Sequence, residues 1–161
     1  MLGRVARSLL FPALAALALG GCRQNDDPEG ARELYARVNE GAGFRAWQRA
    51  PGFPERKPSF TAHSNAVEIY VNDVVAEALA GPVRIAAWPT GSIIVKEGFR
   101  SVRGDARAIV AIMEKREDGW YWVETDGEGE PLFSGRPTVC VDCHDNRASY
   151  SDWVYSFELP R

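Results

Sequence analysis

Two thiols and an imidazole stand within five residues, Cys140-Val141-Asp142-Cys143-His144, with only Asp145 to Arg161 behind them. No other stretch constrains the fold as tightly. On one helical turn Cys140 and Cys143 face the same way and His144 follows, so all three reach toward one object. Thiols at this spacing match the two vinyl groups on one porphyrin edge, and the adjoining imidazole meets the iron from the same side. The motif predicts one covalent c-type haem with His144 as axial ligand. A zinc site and a redox dithiol are the alternatives. Zinc wants about four ligands, and the only other histidine is His63. A dithiol leaves His144 without a role.

The start of the chain predicts export. Met1 to Gly21 holds Arg4 and Arg7, an apolar run from Leu9 to Leu19, and Gly20-Gly21 before Cys22. That is the order of a secretory signal, and the run is short of the roughly 20 apolar residues of a membrane span. Leu19-Gly20-Gly21-Cys22 resembles a bacterial lipobox, which makes Cys22 the lipid-carrying first mature residue and ties the protein to the cell envelope, facing the periplasm. The expected division is a signal over 1–21, a polar tether over 22–30 and one haem domain over 31–161. One core suits that length. The chain has 19 Lys and Arg against 22 Asp and Glu, and loss of Arg4 and Arg7 makes it more acidic. No basic patch points to nucleic acid.

Asp27 and Pro28 open a helix through Leu34, Tyr35 and Val38, stopped by Gly41 and Gly43. Phe44 and Trp47 predict another helical turn, and Pro51 to Pro58 a loop. Val67, Ile69 and Val71 alternate as a strand, and Asn72 or Asp73 caps a short helix over Val74 to Leu79. Trp88 to Gly91 is a turn. Ser92 to Glu97, Arg107 to Lys115 and Gly119 to Thr125 read as strands, the last two joined by a hairpin turn at Glu117-Asp118-Gly119. Gly127 to Pro137 reads as a loop. Trp153, Tyr155 and Phe157 recur at period two near the end. The expected fold is a single α+β domain dominated by an antiparallel sheet, with a few short helices and the haem motif near the C-terminus.

The second axial position is open to three readings. Methionine is a usual electron-transfer ligand, and Met113 sits mid-strand beside Ile112, where core packing is the competing role. His63, in Thr61-Ala62-His63-Ser64-Asn65, can bind iron or lie at the surface. Without either, the iron is five-coordinate and suited to a small ligand. The late motif also departs from small helical cytochromes, which carry theirs near the start, and the strands exclude a four-helix cytochrome c-prime.

Three ordered segments resemble the cytochrome P-460 family and its relatives, the β-fold cytochromes c-prime: Trp88-Pro89-Thr90-Gly91-Ser92-Ile93-Ile94-Val95-Lys96-Glu97; Glu117-Asp118-Gly119-Trp120-Tyr121-Trp122; and Cys140-Val141-Asp142-Cys143-His144 followed by Asp152-Trp153-Val154-Tyr155. The likeness covers roughly residues 63 to 157. It implies a haem whose porphyrin meso carbon is bonded to Lys96, with oxidation of hydroxylamine to nitrogen oxides. The β-fold relatives lack that bond and bind nitric oxide or carbon monoxide in an apolar pocket. The resemblance also implies a redox partner cytochrome and a homodimer. Cross-linked members carry a carboxylate on the strand after the lysine, a base for the protons that oxidation releases. Here Ala108 to Met113 has none, and Glu97 turns away from Lys96 by strand alternation. An apolar distal pocket near Phe99 or Trp88 is therefore expected, which favours gas binding over turnover. A non-catalytic nitric oxide module and a six-coordinate electron-transfer cytochrome remain the alternatives.

Overall fold

The computed structural model describes residues 25–160. The predicted signal and Cys22 lie outside the described residues. Asp27 caps α1 (Pro28–Val38) by accepting from the Gly30 N–H at 3.0 Å, with Pro28 in the first turn. The helix thus begins three residues before the domain boundary placed at residue 31. A 3-10 turn at Phe44–Ala46 leads to β1 (Gln48–Arg49) and β2 (Lys57–Pro58), and both pair with the same edge of β3 (Ala66–Val71). Asn72 then caps α2 (Asp73–Ala80), accepting from the N–H groups of Val75 and Ile93. The rest of the sheet is a meander of β4 (Ile93–Phe99), β5 (Arg107–Arg116), β6 (Gly119–Asp126) and β7 (Pro131–Gly135). The pairings among the described residues are antiparallel and make a seven-stranded sheet, apart from one parallel bridge, Asn25 to Ser134. Last come α3 (Thr138–Ala148) and a 3-10 turn at Ser149–Ser151.

The sheet-dominated α+β domain expected from the sequence is what forms. Alternation along the strands gives the sheet two different faces. One carries Tyr70, Val95, Val110, Ile112, Tyr121 and Val123, and α1 closes it with Ala31, Leu34 and Val38. The other carries Val67, Ile69, Val71, Ile94, Met113 and Trp122. It packs against Val75 of α2, Trp88, and the terminal Val154, Phe157 and Leu159. The haem motif lies over this second face, with Cys140 packed against its core. Among the described residues no helix is long and apolar enough to cross a membrane.

One segment differs from expectation. Residues 131–135, expected within a loop, form β7, with Trp122 opposite Gly135 and Glu124 opposite Phe133. The strand is short and opens on proline, which an edge strand tolerates because the missing N–H faces outward. That removes the local signal. The period-two segment of Trp153, Tyr155 and Phe157 is irregular: Asp152 and Trp153 take left-handed conformations, with φ of 49° and 70°, and turn the chain back toward α3.

Candidate haem-binding site

The motif sits on α3, which puts Cys140, Cys143 and His144 on one helical side at i, i+3 and i+4. Both thiols are free, Cys140 half-buried and Cys143 exposed. Burial pushes the Cys140 thiol up to about 12, and the negative charges of Glu124 and Cys143 add to the shift. His144 is buried, and Nδ1–H donates to the Trp153 carbonyl at 2.7 Å. That bond fixes the tautomer and leaves Nε2 as the lone-pair nitrogen. Burial lowers the His144 pKa to about 4 against the pull of the Trp153 bond, helped by the charges of His63 and Lys96. At neutral pH the ring is neutral, which is the ligating form.

The turn behind His144 is fastened at several points. Asp152 accepts from the Trp88 backbone N–H at 2.8 Å and from Lys115 Nζ at 2.8 Å, and its own carbonyl accepts from the Trp120 indole at 2.8 Å. Trp88 Nε1 donates to Ser151 O at 3.2 Å. The Trp153 N–H donates to Ala148 O at 2.8 Å, so the left-handed pair aims the Trp153 carbonyl back at His144. Trp122 packs edge-on to the His144 ring with centroids 4.5 Å apart.

Between α3 and the sheet lie three hollows that share Lys96 and Tyr155, of about 40, 230 and 320 Å3. Their walls include Phe53, Phe60, Val67, Ile69, Ile94 and Met113 beside Cys140, Cys143 and His144. Lys96 faces this space from the middle of β4. Loss of solvent pulls its pKa from 10.5 to about 8, against the charges of Cys143 and Glu124. The buried indole N–H of Trp122 has no partner in the protein. Two free thiols, a neutral imidazole with a free Nε2 and mostly apolar walls together fit a porphyrin.

The distal surroundings correct one expectation. The pocket is not purely apolar, and neither Phe99 nor Trp88 lines it. Phe99 stacks under the Arg56 guanidinium at 3.3 Å, and Trp88 packs on Phe157 at 5.5 Å. A carboxylate does enter, from β6 rather than β5: Lys96 pairs with Ala111 and Ala111 with Glu124, so all three stand in one row on one face. Glu124 Oε2 accepts from His63 Nδ1 at 2.9 Å, and both residues line the hollow with His144. The His63 and His144 ring centroids are 6.2 Å apart. Glu97 points to the opposite face, as alternation requires. It is buried there and paired with Arg45 and, at 3.6 Å, with Arg107. Met113 lines the hollow as part of the packed core.

The family model described as Cytochrome P460 matches residues 41–156. The chain belongs to the cytochrome P460 family. Membership decides the cofactor: it is a covalently attached c-type haem with its iron, and neither zinc nor a dithiol explains the motif as well. It also places the chain among c-type haem proteins acting on nitrogen species. No curated protein sequence matches the chain. The match begins at residue 41, earlier than the likeness read from the three sequence segments. It takes in the β1 and β2 strands, whose two-residue lengths leave no periodic signal.

Proposed function

We propose that the protein is an exported monohaem cytochrome, held by lipid on Cys22 and facing the periplasm, that oxidises hydroxylamine or a similarly small nitrogen compound. Cys140 and Cys143 would hold the porphyrin by thioether bonds and His144 would bind the iron through Nε2. The bound haem supplies one-electron redox chemistry, and electrons pass on to a partner cytochrome. The observation that carries the reading is the row Lys96, Ala111, Glu124 facing His144 across the haem cleft.

Lys96 and Glu124 have separate tasks. An amine near pKa 8 is free in about one-tenth of the molecules at pH 7, and that free amine is the nucleophile that would replace the hydrogen of a porphyrin meso carbon, with the protons lost to solvent and two electrons taken by an added oxidant of the peroxide class. Glu124, with His63 on its carboxylate, gives the cleft an acceptor for the protons that leave as hydroxylamine is oxidised. A gas-binding module without turnover needs no such acceptor, so the Glu124 carboxylate favours the enzyme. The apolar walls limit the substrate to a small one.

Two measurements test this. Digestion of the haem-loaded protein should give one haem peptide that joins the segment around Lys96 to the segment from Cys140 to His144, seen by mass spectrometry. Lys96→Arg should remove that species, return the Soret band of the denatured protein to an ordinary c-type position, and lower hydroxylamine turnover by at least about tenfold. Full turnover in Lys96→Arg would exclude a role for the bond.

A further inference from the structure

Hydrophobic pattern does not by itself decide which way Lys96 points. β4 is buried on both faces, with Ile94 on one side and Ile93 and Val95 on the other. Its neighbour β5 is apolar at every position from Ala108 to Met113. A slip of β4 by one residue would make Ile94 and Val95 trade faces at little cost in burial. It would also turn Lys96 out of the cleft and bring Glu97 in, because a one-residue slip flips every side chain of a strand. Something other than apolar burial must hold the strand in register.

Glu97 carries the specific contacts of this strand. It is 1% exposed on the face away from the cleft. Its carboxylate accepts from Arg45 Nε at 3.1 Å and from Arg45 Nη2, and Arg45 comes from the 3-10 turn 52 residues earlier. Arg107 Nη1 stands 3.6 Å away, and Arg107 Nε donates to Gly127 O at 2.7 Å. A β-bulge brings Arg107 to that face. The β4–β5 pairing is regular up to Gly98 opposite Ile109 and then shifts, so that Phe99 faces Arg107 and Ala108 is the extra residue. Without the extra residue Arg107 would point to the cleft side. Gly98 leaves room for the bulge: a Cβ there would meet Ile109 Cγ1 at 2.7 Å and His63 O at 2.6 Å. Glu68 of β3 is directly opposite Glu97, and it has its own two guanidiniums, Arg49 and Arg56. Two adjacent carboxylates are thus matched by four arginines in this register alone.

We propose that Glu97 is a positioning residue for Lys96: its tie to Arg45 and Arg107 fixes the register of β4 and so holds the Lys96 amine in the haem cleft. The proposal rests on the reading of Lys96 as the residue bonded to the porphyrin, and deepens it by naming what keeps the amine on the correct face. A buried ion pair adds little stability over apolar residues of the same size, but it is costly to break, so it discriminates between arrangements that apolar packing leaves close in energy. In the slipped register Glu97 leaves both guanidiniums for the cleft, and Lys96 turns toward the α1 face beside Arg45 and Arg107, where like charges repel it.

The test compares two substitutions in the haem-loaded protein. Glu97→Leu removes the tie and keeps the site apolar, whereas Glu97→Gln keeps a hydrogen-bonding partner for Arg45. In Glu97→Leu the thioethers at Cys140 and Cys143 should form fully, while the fraction of haem peptide joined to the Lys96 segment falls at least threefold by mass spectrometry. Glu97→Gln should keep most of that fraction. Nuclear magnetic resonance of the ferrous carbon monoxide form reads the register directly. Lys96 should contact Ala111 in the unmodified protein, and in Glu97→Leu a second set of contacts to Val110 or Ile112 should appear. Leu34→Ala, a core truncation in α1, controls for lost stability and should change neither readout. If Glu97→Leu does not fold, Arg45→Leu, at a half-exposed position, should show the same two changes. An unchanged joined fraction with Lys96 still beside Ala111 would overturn the proposal, and so would a loss of the joined fraction with the register intact. If the unmodified protein has no joined peptide but the register shifts in Glu97→Leu, the reading of Lys96 fails and the lock stands.

Discussion

The two histidines of the cleft offer the same nitrogen and are held by different means. His144 stands on α3 and donates to a backbone carbonyl, Trp153 O, in a turn fixed by Asp152, Trp88, Lys115 and Trp120. His63 stands on a surface connection and donates to a side chain, Glu124, with about a fifth of each side chain exposed. Moving the first means breaking core contacts and several buried hydrogen bonds. Moving the second means lifting a short loop off one strand. Local opening costs least where few buried contacts are lost, so the His144 side of the cleft is the firmly held one and the His63 side the readily opened one.

Breaking the proximal anchor should have the largest effect. Asp152→Ala removes the acceptor for Lys115 Nζ and for the Trp88 N–H and leaves both underused in a mostly buried setting. It should cost about 2–4 kcal/mol in guanidinium unfolding of the haem-loaded protein. A loss below about 1 kcal/mol would mean that the turn holds itself without Asp152, and the contrast with the distal side would fail.

Next comes the response of Lys96 to pH. Its folded pKa is depressed toward 8, so the amine is protonated below that value and free above it. Attack on the porphyrin should therefore speed up by about tenfold per unit as pH rises toward 8 and level off above it. Mass spectrometry of the linked peptide at successive times after haem attachment would measure this. A rate that is flat from pH 6 to 9 would show that deprotonation of Lys96 does not limit the bond.

A smaller effect on folding, below about 1 kcal/mol, is expected for Glu124→Gln, since the His63 pair is partly exposed and screened. Hydroxylamine turnover should nonetheless fall severalfold. The ratio of the two losses sharpens the comparison: Asp152→Ala is a stability variant, Glu124→Gln a functional one. Least of all, Phe60→Ser at the fully exposed loop tip should change unfolding by no more than about 0.5 kcal/mol. A larger destabilisation would place Phe60 against the haem in the loaded protein.

Much of the molecule was legible from local pattern. The Asp27 and Asn72 caps, the hairpin at Glu117-Asp118 and the alternation of β3 to β6 all lie within spans of a few residues, where propensity and period decide the outcome. β7 was not, because a five-residue edge strand opening on Pro131 lacks both a donor and a clear alternation. The face assignment of Glu97 was also correct, since alternation is a local property of one strand.

What the sequence determined by itself is the candidate haem-attachment segment. Cys140, Cys143 and His144 are contiguous, and any helix makes them converge, so no knowledge of the rest of the chain was needed to expect a haem there. The grouping of Lys96, Glu124 and His63 beside it was decided by tertiary structure alone. Glu124 meets the Lys96 row only because β4, β5 and β6 pair in one register, with Ala111 between them. A search of the next strand for a carboxylate finds none, and the pocket then looks apolar. His63 joins it from 61 residues away, through a loop whose approach depends on the bare Cα of Gly98. Alternation tells which residues of one strand share a face, but register and loop placement are set by the packing of the whole sheet.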